Sequence, residues 1–176
     1  MNLQPTLQTK RLVLRPFNLE DSETVKVLAG NKLIADVTSN IPHPYSESMA
    51  KEWILSHSQK WKNKELASFA IVIKESGVLI GAISLMNLIE TEGELGYWVG
   101  VEYWNKGYCS EACKTIIDFG FNSLKLKRMH ARHLSRNPAS GKVLLNSGLL
   151  HAGSNESICG YRQKNEEIEY YEIFST

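Results

Sequence analysis

The chain has 176 residues, 43% of them hydrophobic and 22% charged, which is enough apolar material to build the core of one ordinary domain spanning residues 1–176. A formal net charge of +1 with scattered basic residues argues against a broad nucleic-acid footprint, and no apolar run approaches the roughly eighteen residues of a membrane span. No charged-then-apolar start marks a signal peptide, so a cytoplasmic protein is expected. Cys109, Cys113 and Cys159 make an odd count without metal-ligand spacing, so they are expected as free thiols, with no metal site.

From the N-terminus, Arg11 to Phe17 alternates apolar and charged residues and stops at a proline, which predicts a strand. Asn18 caps a predicted helix whose first turn carries Glu20, Asp21 and Glu23. Its apolar face is Leu19, Val25 and Leu28, and Gly30 ends it. Residues 31–45, holding Pro42 and Pro44, read as a loop with room for one helical turn. Ser46 caps a second helix, on which Ala50, Trp53, Ile54, His57 and Trp61 share one face. The tryptophans are expected in the core. His57, with no carboxylate or cysteine at ligand spacing, is expected as a half-buried, hydrogen-bonded imidazole.

Ser68 to Lys74, the turn Glu75-Ser76-Gly77, and Val78 to Leu88 form a predicted hairpin, in which Gly81 marks a bulge or the close approach of another backbone. Gly93 to Val99 completes an antiparallel meander, and a helix with Ala112, Ile116, Ile117 and Phe121 on its apolar side runs from Ser110 to about Phe121. Arg128 to Leu134 is a fifth strand. Lys125, Lys127, Arg128, His130, Arg132 and His133 around it read as a solvated rim. Pro138 to Ser147 is a fourth helix with Gly148 past its end. Two more strands, residues 149–158 and 167–174, flank a polar loop from Tyr161 to Asn165, and sheet edges there leave room for a homodimer. The order implies an α/β domain, a mixed sheet with helices on both faces.

The stretch from Gly93 to Ala112 organises the rest. A strand that enters a helix through a short turn at Gly107 aims free N–H groups and the positive end of a helix dipole at one small volume. Such a volume suits an anion, a phosphate or pyrophosphate first of all, although an ordinary strand-to-helix connection has the same pattern. The turn has neither the Gly-Lys-Ser/Thr ending of a P-loop nor the three spaced glycines of a dinucleotide fingerprint. Cys109 opens the helix where the dipole could lower a thiol pKa, but no histidine lies nearby to make it a nucleophile.

Several motifs in chain order carry a family likeness. They are Thr9-Lys10-Arg11-Leu12-Val13-Leu14-Arg15-Pro16, Gly96-Tyr97-Trp98, the run from Trp104 to Ala112, and Asn137-Pro138-Ala139-Ser140 with Gly148 eleven residues after Asn137. Together they resemble the GNAT acetyltransferases over about Gln8 to Phe174, and within them the branch that acetylates ribosomal-protein N-termini. The resemblance implies a mostly antiparallel mixed sheet of six to seven strands, about four helices on both faces, and central strands that splay. It implies acetyl-CoA as co-substrate. The diphosphate would rest on the backbone amides of Asn105, Lys106, Gly107, Tyr108, Cys109 and Ser110, and the pantetheine arm on the exposed backbone of Trp98 and Val99, with Gly100 easing the strand's departure. Asn137 would hydrogen-bond the arm, or cap the helix that follows. Two positions depart from the family pattern. The loop has Trp104 and Cys109 where a glutamine or arginine and a small residue are commonest. Leu144, seven residues after Asn137, replaces a general-acid tyrosine.

Free-energy arithmetic narrows the acceptor. Withholding a proton from a lysine of pKa near 10.4 at pH 7 costs about 4.6 kcal/mol, against about 1 kcal/mol for an α-amine near 7.7, so an N-terminal acceptor needs only a weak base. The resemblance offers Glu94 as that base, directly or through a water, with a solvated strand face as the competing reading. It offers Ser140 as the acid that meets the thiolate, and the Val99 N–H as oxyanion donor. The acceptor wall would be residues 31–45, the second helix and the last hairpin, with Tyr45, Trp53 and Tyr161 lining it, although burial explains each equally well. An acetyl-CoA-dependent N-acetyltransferase acting on a protein N-terminus such as a ribosomal protein is the expectation. A small-molecule acetyltransferase and a non-catalytic acyl-CoA-binding module are the alternatives.

Overall fold

The computed structural model describes residues 3–161 and 163–175, apart from the side chain of Cys159. The Cys159 thiol expectation, and Arg162 within the predicted loop, therefore lie outside the described residues. Strands β1 (Leu7–Gln8), β2 (Leu12–Arg15), β3 (Ala67–Ile73), β4 (Leu79–Ile89), β5 (Glu92–Val99), β6 (Arg128–Leu134), β7 (Leu150–Cys159) and β8 (Lys164–Phe174) form one sheet in the order β1-β2-β3-β4-β5-β6-β8-β7. Adjacent strands are antiparallel except β5 and β6, which run parallel. The strand beyond the expected count is β1, two residues paired to β2.

Helices α1 (Ser22–Ala29), α2 (Lys32–Val37) and α3 (Glu47–Lys62) cover one face of the sheet, and α4 (Tyr108–Asn122) and α5 (Pro138–Asn146) the other. Beneath α4, Leu12, Leu14, Phe69, Ile71, Ile83 and Leu85 pack with Ile116 and Phe119. On the opposite face Val25, Ala29, Ala50 and Ile54 form a smaller core with Trp53, Tyr45 and Trp98. The extra helix, α2, is the single turn expected in residues 31–45, lengthened because the Asn31 side chain accepts the Leu33 N–H at 3.0 Å.

Asn18 caps as expected, but it starts a 3-10 turn (Leu19–Asp21) rather than α1 itself. The tighter period swings Leu19 out of line with Val25 and leaves it 46% exposed, so it does not belong to the apolar face. Arg15 clamps the turn through two 2.8 Å hydrogen bonds to the buried Asp21 carboxylate. The predicted basic rim is only partly solvated. Arg128 pairs with Glu92 and Glu172, Arg132 with Glu94, and His133 is buried.

His57 departs from expectation. It is buried between Trp53 and Phe17, with ring centroids 4.5 and 5.5 Å away, and neither ring nitrogen has a hydrogen-bond partner among the described residues. Burial, helped by Lys60, pushes its pKa down to about 4. A histidine held neutral by the fold contributes full stability above its unfolded pKa of 6.5. That contribution is lost as pH falls from there towards 4, because the unfolded chain binds the proton first. We predict that stability at pH 5 is about 2 kcal/mol below that at pH 7.5 from this group alone. Urea midpoints of the parent and of His57→Phe across that interval check it, since the phenylalanine variant should lose this share of the acid sensitivity.

Two features of the sheet position everything that follows. A register shift between Ile71 and Val72 bulges β4, and Gly81 beside it lies against β5 so closely that a Cβ would overlap the Trp98 carbonyl oxygen and come within 2.8 Å of Val99 Cα. Both sequence readings of Gly81, bulge and close approach, hold together. Second, β5 and β6 share only the pairs Glu92–Arg128, Gly93–Met129 and Glu94–His130, and then part.

Candidate active site

Beyond Glu94 the strand β5 keeps β4 on one side and faces a gap on the other. The Gly100 N–H donates to the Ile80 carbonyl at 2.8 Å, so the alternation of a strand turns the backbone groups of Val99 and Tyr97 towards the gap. The Trp98 carbonyl faces Gly81 instead. Trp98 therefore offers the gap's surroundings its indole, packed near Tyr45 and Trp53, rather than the backbone groups expected of it. The Val99 carbonyl accepts the Trp104 indole N–H at 2.7 Å, which gives that unusual tryptophan a structural role in the loop.

At the wide end of the gap the chain turns through Asn105 (φ 60°) and Gly107 (φ 76°) into α4. Asparagine tolerates this left-handed backbone and glycine favours it. No acceptor among the described residues takes the amide hydrogens of residues 105–110, so six N–H groups stand unengaged beside the positive end of a fifteen-residue helix. The loop is braced from outside. Glu111, in the first turn of α4, accepts from Thr9 Oγ1 at 2.5 Å and from Arg11 N and Nε at 2.7 Å each. Arg11 also reaches the Lys106 carbonyl at 3.0 Å and lies over the Tyr108 ring at 4.6 Å. Burial alone would raise the Glu111 pKa, but these hydrogen bonds and the Arg11 charge outweigh it and hold the carboxyl below its usual range.

A cleft of about 690 Å³ runs through the gap. Of the residues expected to meet the cofactor, Lys106 turns away from its lining, its ammonium 5.5 Å from the Tyr103 ring centroid. The helix start does not activate Cys109. Half-buried in the cleft wall, its thiol is desolvated and its pKa pushed up to about 12, the reverse of the lowering a helix start could bring. Cys113 is buried, and burial pushes its thiol pKa up as well.

Glu94 is 8% exposed, which removes the solvated-face reading; Glu92, two residues before it, is the exposed one. Its two carboxylate oxygens accept from Asn87 Nδ2 at 2.8 Å and Arg132 Nε at 3.0 Å. Across the sheet, Ser140 Oγ lies 2.9 Å from the Tyr97 hydroxyl, which also donates to the Ser140 carbonyl at 3.0 Å. Burial, with the neighbouring Cys113 thiol next in weight, pushes the Tyr97 pKa well above 10, so the phenol keeps its proton. Leu144 is buried in the core, away from any such role. Asn137 does not cap α5. Its side chain donates to the Val37 carbonyl at 3.2 Å while lining the cleft.

At Ser39, which lines the cleft, a second arm of chain lies against it. Gly160 (φ 66°) is pressed onto Ser39, where a Cβ would overlap the Ser39 carbonyl, and Tyr161 N donates to that same oxygen at 3.2 Å. Arg136 ties the Asp36 carbonyl to Glu166. Tyr45 and Trp53 line the cleft as expected, whereas Tyr161 projects outside it, 64% exposed. Sequence reasoning passed over Asn87, Tyr97 and Arg132. Arg132 had a usable signal, since the period of two on β6 puts it on the Glu94 face one step beyond the last paired residue.

Among the described residues no group of three His, Cys, Asp or Glu side chains is placed to hold a metal, and no helix is long and apolar enough to cross a membrane. Residues 11–149 match the family model described as an acetyltransferase (GNAT) domain. The chain is 37% identical over 144 residues to the uncharacterized N-acetyltransferase p20 of Bacillus licheniformis, covering 79% of each chain. Among solved structures, the ribosomal-protein-S5-alanine acetyltransferase of Vibrio fischeri superposes with a TM-score of 0.83 at 22% identity, over 97% of this chain and 96% of that one. Mycobacterium smegmatis RimJ, solved in complex with CoA-disulfide, gives 0.89 at 16% identity, over 98% and 88%. At those identities the two structures speak for the shared fold.

Proposed function

The chain belongs to the family of GNAT acetyltransferases, and from that premise we propose that it moves an acetyl group from acetyl-CoA to an α-amine, first of all a protein N-terminus. The observation that carries this reading is the set of unengaged amides of residues 105–110 at the mouth of the β5–β6 gap. A diphosphate would satisfy those donors and the helix dipole together. The pantetheine arm would then lie along β5 and pair with the gap-facing backbone of Tyr97 and Val99, with Asn137 beside it. Along the five residues from Val99 to Glu94 such an arm descends about 17 Å towards the fork of the two strands.

There the amine nitrogen attacks the thioester carbonyl, the carbon–sulfur bond breaks, and CoA leaves as its thiolate. Glu94 takes the proton that the amine sheds. Ser140, its hydroxyl oriented by Tyr97, donates a hydrogen bond to the leaving sulfur, and the gap-facing Tyr97 N–H, nearer the fork than the Val99 N–H first expected in that role, meets the oxyanion. A thiolate with a pKa near 8.5 needs little more than such a bond. The charge of the lining supports an α-amine over a polyamine, because Glu94 is its one carboxylate among the described residues and already pairs with Arg132.

The test is release of free CoA thiol when acetyl-CoA meets a panel of peptides, amino acids, polyamines and aminoglycosides, alongside calorimetry with CoA. Heat of binding together with thiol release is expected. Binding without release from any acceptor would establish a non-catalytic acyl-CoA module in its place, and no binding at all would sink the reading.

A further inference from the structure

We propose that the acceptor is an α-amino-acyl unit carrying an apolar side chain, and that Arg132 is the residue that reads the carbonyl or carboxylate beside its amine. This rests on the acetyl-transfer reading of the same cleft. Glu94 and His130 form the last pair before β5 and β6 separate, and Arg132 follows two residues later on the same face. The carboxylate and the guanidinium therefore stand side by side at the fork, where the reacting carbonyl would arrive. An amine needs only the carboxylate; the guanidinium beside it calls for a second group on the acceptor.

The bonding of Arg132 leaves it available for that. Its Nε is held by Glu94 at 3.0 Å, and its two terminal amino groups have no partner among the described residues. Asn87 holds the other Glu94 oxygen at 2.8 Å, which fixes the carboxylate without occupying both lone pairs of either oxygen. An anion or carbonyl oxygen placed against those amino groups would lie two carbons away from an amine placed against the carboxylate, which is the spacing of an amino acid or a peptide's first residue. A planar guanidinium suits such an oxygen better than a lysine would.

Two further observations fix the rest of the acceptor. Ile34, Val37, Ile41, Tyr45, Trp53 and Trp98 wall the cleft on the Glu94 face, so the group beyond the α-carbon meets carbon rather than charge. A polycation would bring a second ammonium to a wall whose only carboxylate among the described residues is already shared, and burying it unpaired is unfavourable.

The experiment compares acceptors that share one side chain: leucine, leucine amide, a dipeptide beginning with leucine, and isopentylamine, with alanine amide and spermidine as outliers. Thiol release by the parent should favour the carbonyl-bearing leucine compounds over isopentylamine by about tenfold or more in kcat/KM, with spermidine poorest. Arg132→Gln should bring that ratio close to one, and Arg132→Lys should recover part of it. A faster leucine than leucine amide identifies the carboxylate as the group read, and equal rates identify the carbonyl. Equal use of isopentylamine and leucine amide by the parent overturns the proposal while leaving acetyl transfer standing, as does a ratio untouched in a folded Arg132→Gln protein. No thiol release from any acceptor removes the acetyl-transfer reading and this proposal with it.

Discussion

Replacing Glu94 by glutamine should lower kcat/KM for an α-amine acceptor at pH 7 by about a hundredfold, the lower end of what a positioned general base contributes. The isostere keeps the side chain's volume and its contact with Asn87, so the loss isolates the carboxylate's ability to take a proton. Raising the pH supplies neutral amine from solution instead. For an amine of pKa near 7.7 the neutral fraction rises about sixfold between pH 7 and pH 9, and the variant should regain about that factor while the parent gains less. The ion pair with Arg132 is partly solvated, so its loss should cost no more than about 1 kcal/mol of stability, and an unchanged melting curve separates chemistry from folding. A variant indistinguishable from the parent at every pH would remove Glu94 from the mechanism.

Gly81→Ala should be the most destabilising conservative change in the sheet, by about 3 kcal/mol, or roughly 6–12 °C in Tm for a domain of this size. The added methyl would collide with backbone, the Trp98 carbonyl and Val99 Cα, which cannot rotate away as a side chain would. The strands must therefore separate, and the segment displaced is the one whose other edge borders the gap. CoA affinity should fall together with stability. Gly107→Ala is the informative contrast, because a Cβ there would lie 3.4 Å from one Arg11 side-chain nitrogen, not from backbone, and suffer mainly from its φ of 76°. Urea denaturation of the two variants measures the difference, and a loss below about 1 kcal/mol at Gly81 would show that the bulge absorbs the methyl.

Most of the architecture could be read from alternation and caps. The β3–β4 hairpin, β6 and α5 fall within a residue or two of where Gly77, the 128–134 alternation, Pro138 and Gly148 place them. Period and turn chemistry are local, so a single chain reveals them. What a single chain hides is which groups meet across the sheet. The pKa of Cys109 is set by the walls around it rather than by its place at a helix start, and His57 has no hydrogen-bond partner among the described residues because Phe17 and Trp53, far apart in sequence, enclose it. The side chain of Asn137 turned to Val37 instead of its own helix because α2 brings a carbonyl there. For the same reason Tyr97 stood unremarked inside a quoted motif until α5 set Ser140 against it.

The seam between β5 and β6 has a mechanical consequence. Strands β1 to β5 and β6 to β8 are two leaves bound along a spine of three residue pairs, with Gly160 at Ser39 and Arg136 at Asp36 acting as a clasp on the outer margin. On the proposed reading, a guest threaded between the leaves would supply the stitches that the polypeptide omits. Loading and stiffening would then become one event.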